Sequence, residues 1–267
     1  MTDQSIERNF LYNIFKGEKR LGKLQDQASS GRVITRPQDD PIGTGRSISL
    51  RHDLSVTKQY MRNIDKARVW MEQTEQALSH LTNVLSRAHE LGLYGATGTT
   101  PSDAKTAIAA EIRQLREEVC SILDTAVDGR KLLTGTMPEW RLSDDVTVAA
   151  KDLTVTGLPA LVGTLEQLVD GLESDENDIE EAMANLDNAI NQVLAERAEN
   201  GAKLRRLDIL NEKAVSLDIE YQRLLSNVED VDLIEVIVRL KSQEAAYQAA
   251  LAAGARLIQP SLLEHLR

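Results

Sequence analysis

The sequence predicts a mainly α-helical, elongated chain: a helical rod, paired N- and C-terminal helices and a small β insertion. Three observations predict it. Apolar residues recur at alternating short spacings, in a heptad-like rhythm, over most of the chain. Hydrophobic residues make up 42% but aromatics only 3%, so Ala, Leu, Ile and Val must build the core, a mixture suited to long helices packed on one another. One stretch after Gly135 changes to the two-residue alternation of strands.

The elements follow in order. Near the start, Phe10, Ile14, Gly17, Leu21, Leu24 and Ala28 form one amphipathic stripe. Asp39-Asp40-Pro41 then reads as a helix start, with Asp40 as cap and Pro41 in the first helical position. A helix from there to about Gly95 would be roughly 80 Å long at the usual rise per residue. Its seam is Tyr60, Ile64, Ala67, Met71, Thr74, Leu78, Leu81, Leu85 and Ala88. A second row, Trp70, Ala77, Val84 and Leu91, widens the stripe beyond what a two-stranded coiled coil needs, so this helix should face more than one neighbour. Gly95 to Thr99 breaks it.

Thr100-Pro101-Ser102-Asp103 restarts a helix, with Thr100 as cap. Its seam runs through Ile108, Ile112, Leu115, Val119, Ile122 and Ala126, and Asp128-Gly129 is expected to end it. Cys120, the single cysteine, sits beside this seam and is expected to be a small buried hydrophobe. The β insertion is expected over residues 137–159, between helices that pack without it; its strand signals are Val146-Thr147-Val148 and Leu153 to Thr156. The acidic run Glu173 to Asp178 reads as a solvated loop, with Asn177 and Glu180 as a capping box for a helix carrying Ile179, Met183, Leu186, Ile190 and Val193. That helix continues through Leu204, Leu207, Tyr221, Leu225 and Val228, with Asn211 and Asp218 on the seam as register-setting polar residues. Leu233, Ile237, Leu240, Tyr247, Leu251 and Ile258 give the C-terminal helix its stripe. Each terminal stripe needs a partner, and the simplest partner for one end is the other.

The formal charge of −11, from 31 basic and 42 acidic residues, argues against nucleic acid and anionic lipid as partners. No apolar run is long enough to span a bilayer, and Met1 to Arg8 lacks the apolar core of a cleaved signal peptide. The four histidines, His52, His80, His89 and His265, form no paired metal motif, and no HExxH, CxxC or P-loop pattern occurs. Catalytic, cofactor-binding and metal-binding residues are therefore expected to be absent, and the carboxylates are read as solvated helix faces.

Three stretches resemble the flagellin superfamily, and within it the hook-associated protein 3 branch, the hook–filament junction proteins. Gln27 to Pro41 resembles the family's signature turn after the first helix, carried by Ser30, Gly31, Asp39, Asp40 and Pro41. Tyr60 to Ala67 with Thr74 to Leu78 is similar to its asparagine-containing turn in the long second helix. Leu240 to Leu251 and Gln259 to Leu266 look like the closing helix and Ser-Leu-Leu tail of the junction branch.

The resemblance implies inner coiled-coil helices from residues 1–40 and 228–267, a rod from 41–136 and 160–227, and an outward insertion at 137–159. Phe10, Ile14, Leu21, Leu24, Leu233, Ile237, Leu240, Tyr247, Leu251 and Ile258 would then serve assembly. It also implies export without a cleaved signal to the extracellular flagellum. The implied partners are further copies in a ring or helical layer, another hook-associated protein, flagellin and an export chaperone, with no nucleic acid and no membrane. Flagellin itself is the nearest alternative. A helical signalling module is a more distant one, since neither a membrane span nor an output domain is evident.

Overall fold

The computed structural model describes residues 3–97, 100–134, 139–143, 147–148, 158–174 and 176–265. Among these, six helices dominate: α1 (Asp3–Ser30), α2 (Pro41–Gly95), α3 (Ser102–Leu123), α4 (Leu158–Ser174), α5 (Glu176–Glu229) and α6 (Leu233–His265). Two short antiparallel hairpins interrupt them. One pairs β1 (Ala126–Val127) with β2 (Arg130–Lys131), and the other pairs β3 (Trp140–Arg141) with β4 (Thr147–Val148). The expected mainly helical architecture is thus the observed one.

The described chain divides into two compact units, one formed by residues 1–55 with 218–267 and the other by 56–217. Within the first of these units, the start of α2 binds the end of α5 through side chains of Ser47 and Arg51.

The unit of residues 56–217 is built around one apolar core shared by α2, α3, α4 and α5. Both predicted rows of α2 are inside it: Ile64, Met71, Leu78, Leu81 and Leu85 from the first, Trp70, Ala77, Val84 and Leu91 from the second. The double stripe has the several neighbours its width requires. Helix α3 lies against α4, and α4 supplies Leu161, Leu165, Leu168 and Leu172 to the core. Sequence periodicity ended the β insertion at 159 but did not mark α4 as a helix of its own. Its apolar residues are dense on more than one face, so the stripe that marks an amphipathic helix is blurred.

Several local expectations need correction. Asp128-Gly129 does not cap α3, which ends at Leu123 with Asp124 as its C-cap. Asp128 and Gly129 have φ of 49° and 75°, the paired positive values of a tight hairpin turn, and they close β1 onto β2. Pro101, not Thr100, holds the N-cap position of α3, and it makes no side-chain cap bond. The Thr100 hydroxyl instead donates to the Tyr94 carbonyl at 2.9 Å, satisfying one of the orphan carbonyls in the last turn of α2. Helix α5 already begins at Glu176, so Asn177 lies within its first turn rather than before it. Cys120 is exposed; its neighbour Val119 takes the buried position.

The β segment is anchored at its start. Leu142 is buried in the core, the Trp140 ring meets Trp70 edge-on at 6.3 Å between centroids, and the Asn63 side chain donates to the Arg141 carbonyl at 2.6 Å. The start of the segment is therefore part of the core of this unit. The second expected strand run, Leu153 to Thr156, lies outside the described residues.

Candidate assembly surface

In the unit of residues 1–55 and 218–267, α1 and α6 pair along their lengths. Gly17 lets Tyr247 approach, and the Gln243 side-chain amide donates to the Gly17 carbonyl at 3.5 Å. Nearer the free ends, Phe10 lies against Gly254 so closely that a side chain at 254 would collide with its ring. The two contacts give the pair one antiparallel register.

The predicted stripe residues divide between two roles. Phe10, Ile14, Leu21, Leu24, Leu240 and Tyr247 are half-buried. Leu233, Ile237 and Leu251 are exposed. Ile258 lies where only the backbone is described. The largest exposed apolar side chains were not on the predicted stripe. Leu11, Tyr12 and Phe15 form one cluster at helical spacing on α1, with Phe15 66% exposed. Ile234 and Val238 join Leu233 and Ile237 at the start of α6, with Ile234 77% exposed. A single stripe cannot cover both a partner helix and water-facing apolar residues of this kind, so the pair leaves apolar residues open in two places, one on α1 and one at the start of α6. A heptad pattern marks the most regular row of a helix and leaves the rows beside it unmarked. A groove of about 530 Å³ between α1 and α6 is lined by Leu24 and Val238 together with Arg20, Lys23 and Arg239.

The signature turn joins α1 to α2 and is closed by its own hydrogen bonds. Gly31 has φ of 69°, the left-handed value that ends a helix, and its amide returns to the Gln27 carbonyl at 2.9 Å. The Ser30 hydroxyl donates to the Asp26 carbonyl at 2.7 Å. Asp39 accepts from Lys23, the Thr35 hydroxyl and the Arg36 amide. These bonds, led by Lys23, hold its carboxyl below the ordinary aspartate range against the opposing effect of desolvation. Asp40 caps α2 as expected, accepting from the amides of Ile42 and Gly43 at 3.1 and 2.9 Å, with Pro41 as the first helical residue.

The charged centre of this unit is Glu229, the last residue of α5, and sequence reading did not single it out. Its side chain is 8% exposed. One carboxylate oxygen accepts from the Ser47 hydroxyl and from Arg51 Nε at 2.8 Å; the other accepts from an Arg51 terminal nitrogen at 2.6 Å. Arg32 approaches at 3.7 Å. The Arg51 hydrogen bonds, then Ser47 and the two positive charges, hold the Glu229 carboxyl below its usual range although burial pushes the other way. One signal was available: a carboxylate at a helix C-terminus opposes the helix dipole and so needs cations nearby.

Backbone bonds join the same residues. The Val33 amide donates to the Glu229 carbonyl at 2.7 Å, the Val231 amide to the Gly31 carbonyl at 3.1 Å, and Arg32 and Asp230 form an isolated antiparallel bridge. Asp232 then caps α6 through the amides of Ile234 and Glu235. In the other unit, Asn200 is a buried polar residue, whereas the expected Asn211 of that unit and Asp218 of the first are half-buried. Asn200 donates to the Met71 carbonyl at 3.0 Å beside the Arg197–Glu75 pair. Among the described residues, no helix is long and apolar enough to cross a membrane.

Comparison with known proteins places this geometry. The family described as the bacterial flagellin N-terminal helical region matches residues 3–137. Flagellar hook-associated protein 3 of Salmonella typhimurium is 25% identical over 93% of this chain and 93% of its own length. A flagellin of Halalkalibacterium halodurans is 26% identical over 98% of this chain and 96% of its own. The structure of a candidate flagellar hook-associated protein from Vibrio parahaemolyticus shares the fold, with a TM-score of 0.66 and 16% identity over 72% of this chain and 100% of that one.

Proposed function

The chain belongs to the flagellin family, and from that premise we propose that it is a structural subunit joining the flagellar hook to the filament and starting filament growth. The family is a structural flagellar one, not a family of enzymes. The observation that carries the reading is the exposed apolar residues of the α1/α6 pair, Leu11, Tyr12 and Phe15 on α1 and Ile234 and Val238 on α6, all open to solvent. Such residues are covered when neighbouring subunits pack against them, and contacts of this kind build a ring when the rotation closes and a helical layer when it does not. The similarity to hook-associated protein 3, over 93% of each chain, favours a junction subunit.

In this reading residues 1–40 and 228–267 form the inner layer, 41–136 and 160–227 the rod, and 137–159 the outward segment. Phe10, Ile14, Leu21, Leu24, Leu240 and Tyr247 hold the pair together. Leu233, Ile237 and Leu251, with the exposed residues beside them, meet other subunits. The partners are further copies of the chain, another hook-associated protein and flagellin, with an export chaperone beforehand. In this reading the chain is exported to the extracellular flagellum.

Flagellin is the second reading, favoured by the match that spans 98% of the chain. Electron microscopy of a strain lacking the gene separates the two. The junction reading expects hooks without filaments and flagellin shed into the medium. Loss of the filament protein itself would identify a flagellin, and normal filaments would overturn both.

A further inference from the structure

Both connections that lead to the terminal helices pass one carboxylate. Residues 31–40 join α1 to α2, and residues 230–232 join α5 to α6. The two connections are bonded to each other through Val33, Glu229, Gly31 and Val231. Glu229 receives Arg51 and Ser47 from α2 on one side and Arg32 from the first connection on the other. Arg32 and Arg51 are the charged groups that face it among the described residues.

Stability alone is a poor account of this cluster. A carboxylate taken out of water costs about what its ion pairs return, and apolar residues of similar volume often serve as well. What such a group supplies is geometry. The Arg51 fork meets both carboxylate oxygens, which fixes rotation as well as distance. Ser47, one helical turn from Arg51, fixes the remaining direction.

We propose that Glu229, gripped by Arg51, Ser47 and Arg32, is the positioning group that sets how the α1/α6 pair leaves the start of α2 and the end of α5, and so where its exposed apolar residues point for assembly. This rests on the assembly reading above. The positioning itself is a property of the free subunit and can be measured without assembly.

The test is the full-length double variant Glu229→Met/Arg51→Met, with Ser47→Ala as a milder change. Three readouts are needed: thermal melting, amide exchange of Val33 and Val231 in the monomer, and filaments per cell when the gene is returned to a deletion strain. The double variant is expected to melt near the wild type while Val33 and Val231 exchange about ten-fold faster and filament number falls sharply. Ser47→Ala should show the same pattern to a smaller degree. Unchanged exchange at Val33 and Val231 would overturn the proposal. So would a large fall in melting temperature with faster exchange throughout the chain, because the cluster would then be an ordinary stabilising contact. If the wild-type gene also fails to restore filaments, the assembly reading fails, while monomer exchange still decides the role of Glu229.

Discussion

Replacing Leu78 by Asp is expected to unfold the unit of residues 56–217, whereas the same replacement at Leu251 should leave the monomer folded and block its assembly. Leu78 is 0% exposed, midway along α2 among Met71, Leu81 and Leu85. Withdrawing a fully buried leucine costs about 1.5–3 kcal/mol in transfer alone, and the cavity left behind raises such losses to about 2–5 kcal/mol. An unpaired carboxylate in that site adds several kcal/mol more. The sum rivals the whole stability of a domain, about 5–15 kcal/mol. Leu251 is 46% exposed, so an Asp there keeps its hydration and the lost transfer term is about 1 kcal/mol. Circular-dichroism melts of both variants measure the first half of the prediction, and sedimentation of the assembled protein the second. Equal destabilisation at the two sites would refute the reasoning, because it would make the outer face of α6 part of the monomer's core.

Four further outcomes are expected. Trp140→Ala should lower stability by about 3–5 kcal/mol at most, with loss of near-ultraviolet dichroism from the Trp70–Trp140 contact. Deleting residues 137–159 should cost at least as much, since Leu142, 2% exposed, goes with them; a truncated protein that melts like the wild type would contradict the anchoring of this segment. Gly92→Ala should be destabilising despite the better helix propensity of alanine, because the new Cβ would lie 2.5 Å from Met183 Sδ and 3.2 Å from a Leu168 methyl carbon; urea melts decide the sign. The Glu229 cluster should make stability pH-dependent. Its folded carboxyl titrates below the ordinary value of about 4.3, so its contribution is complete above that pH and is lost as the pH falls through the lowered folded value. The stability difference between the wild type and Glu229→Met/Arg51→Met should accordingly change only on acidification below that range; an equal change at higher pH would assign the effect to another group.

The sequence by itself determined the helices of the α2 core and both ends of the chain. Their apolar rows are regular, and Asp40, Pro41 and Gly95 mark the ends of α2 by local chemistry that needs no distant partner. The signature turn was legible for the same reason: Gly31 and Asp40 act on backbone groups within a few residues of themselves. Tertiary structure decided the rest. Thr100 serves the end of α2 rather than the start of α3 because the Tyr94 carbonyl, six residues back, is the acceptor in reach. Trp140 and Leu142 look like part of a separable insertion until Trp70 and the α2–α5 core are placed around them. Which apolar residues of α1 and α6 face each other, and which remain open, depends on the antiparallel register that Gly17–Tyr247 and Phe10–Gly254 impose. Glu229 was invisible for the plainest reason. Ser47 and Arg51, its partners on α2, stand 182 and 178 positions away in the chain, and periodicity reports which face a residue occupies, not which distant side chain will meet it there.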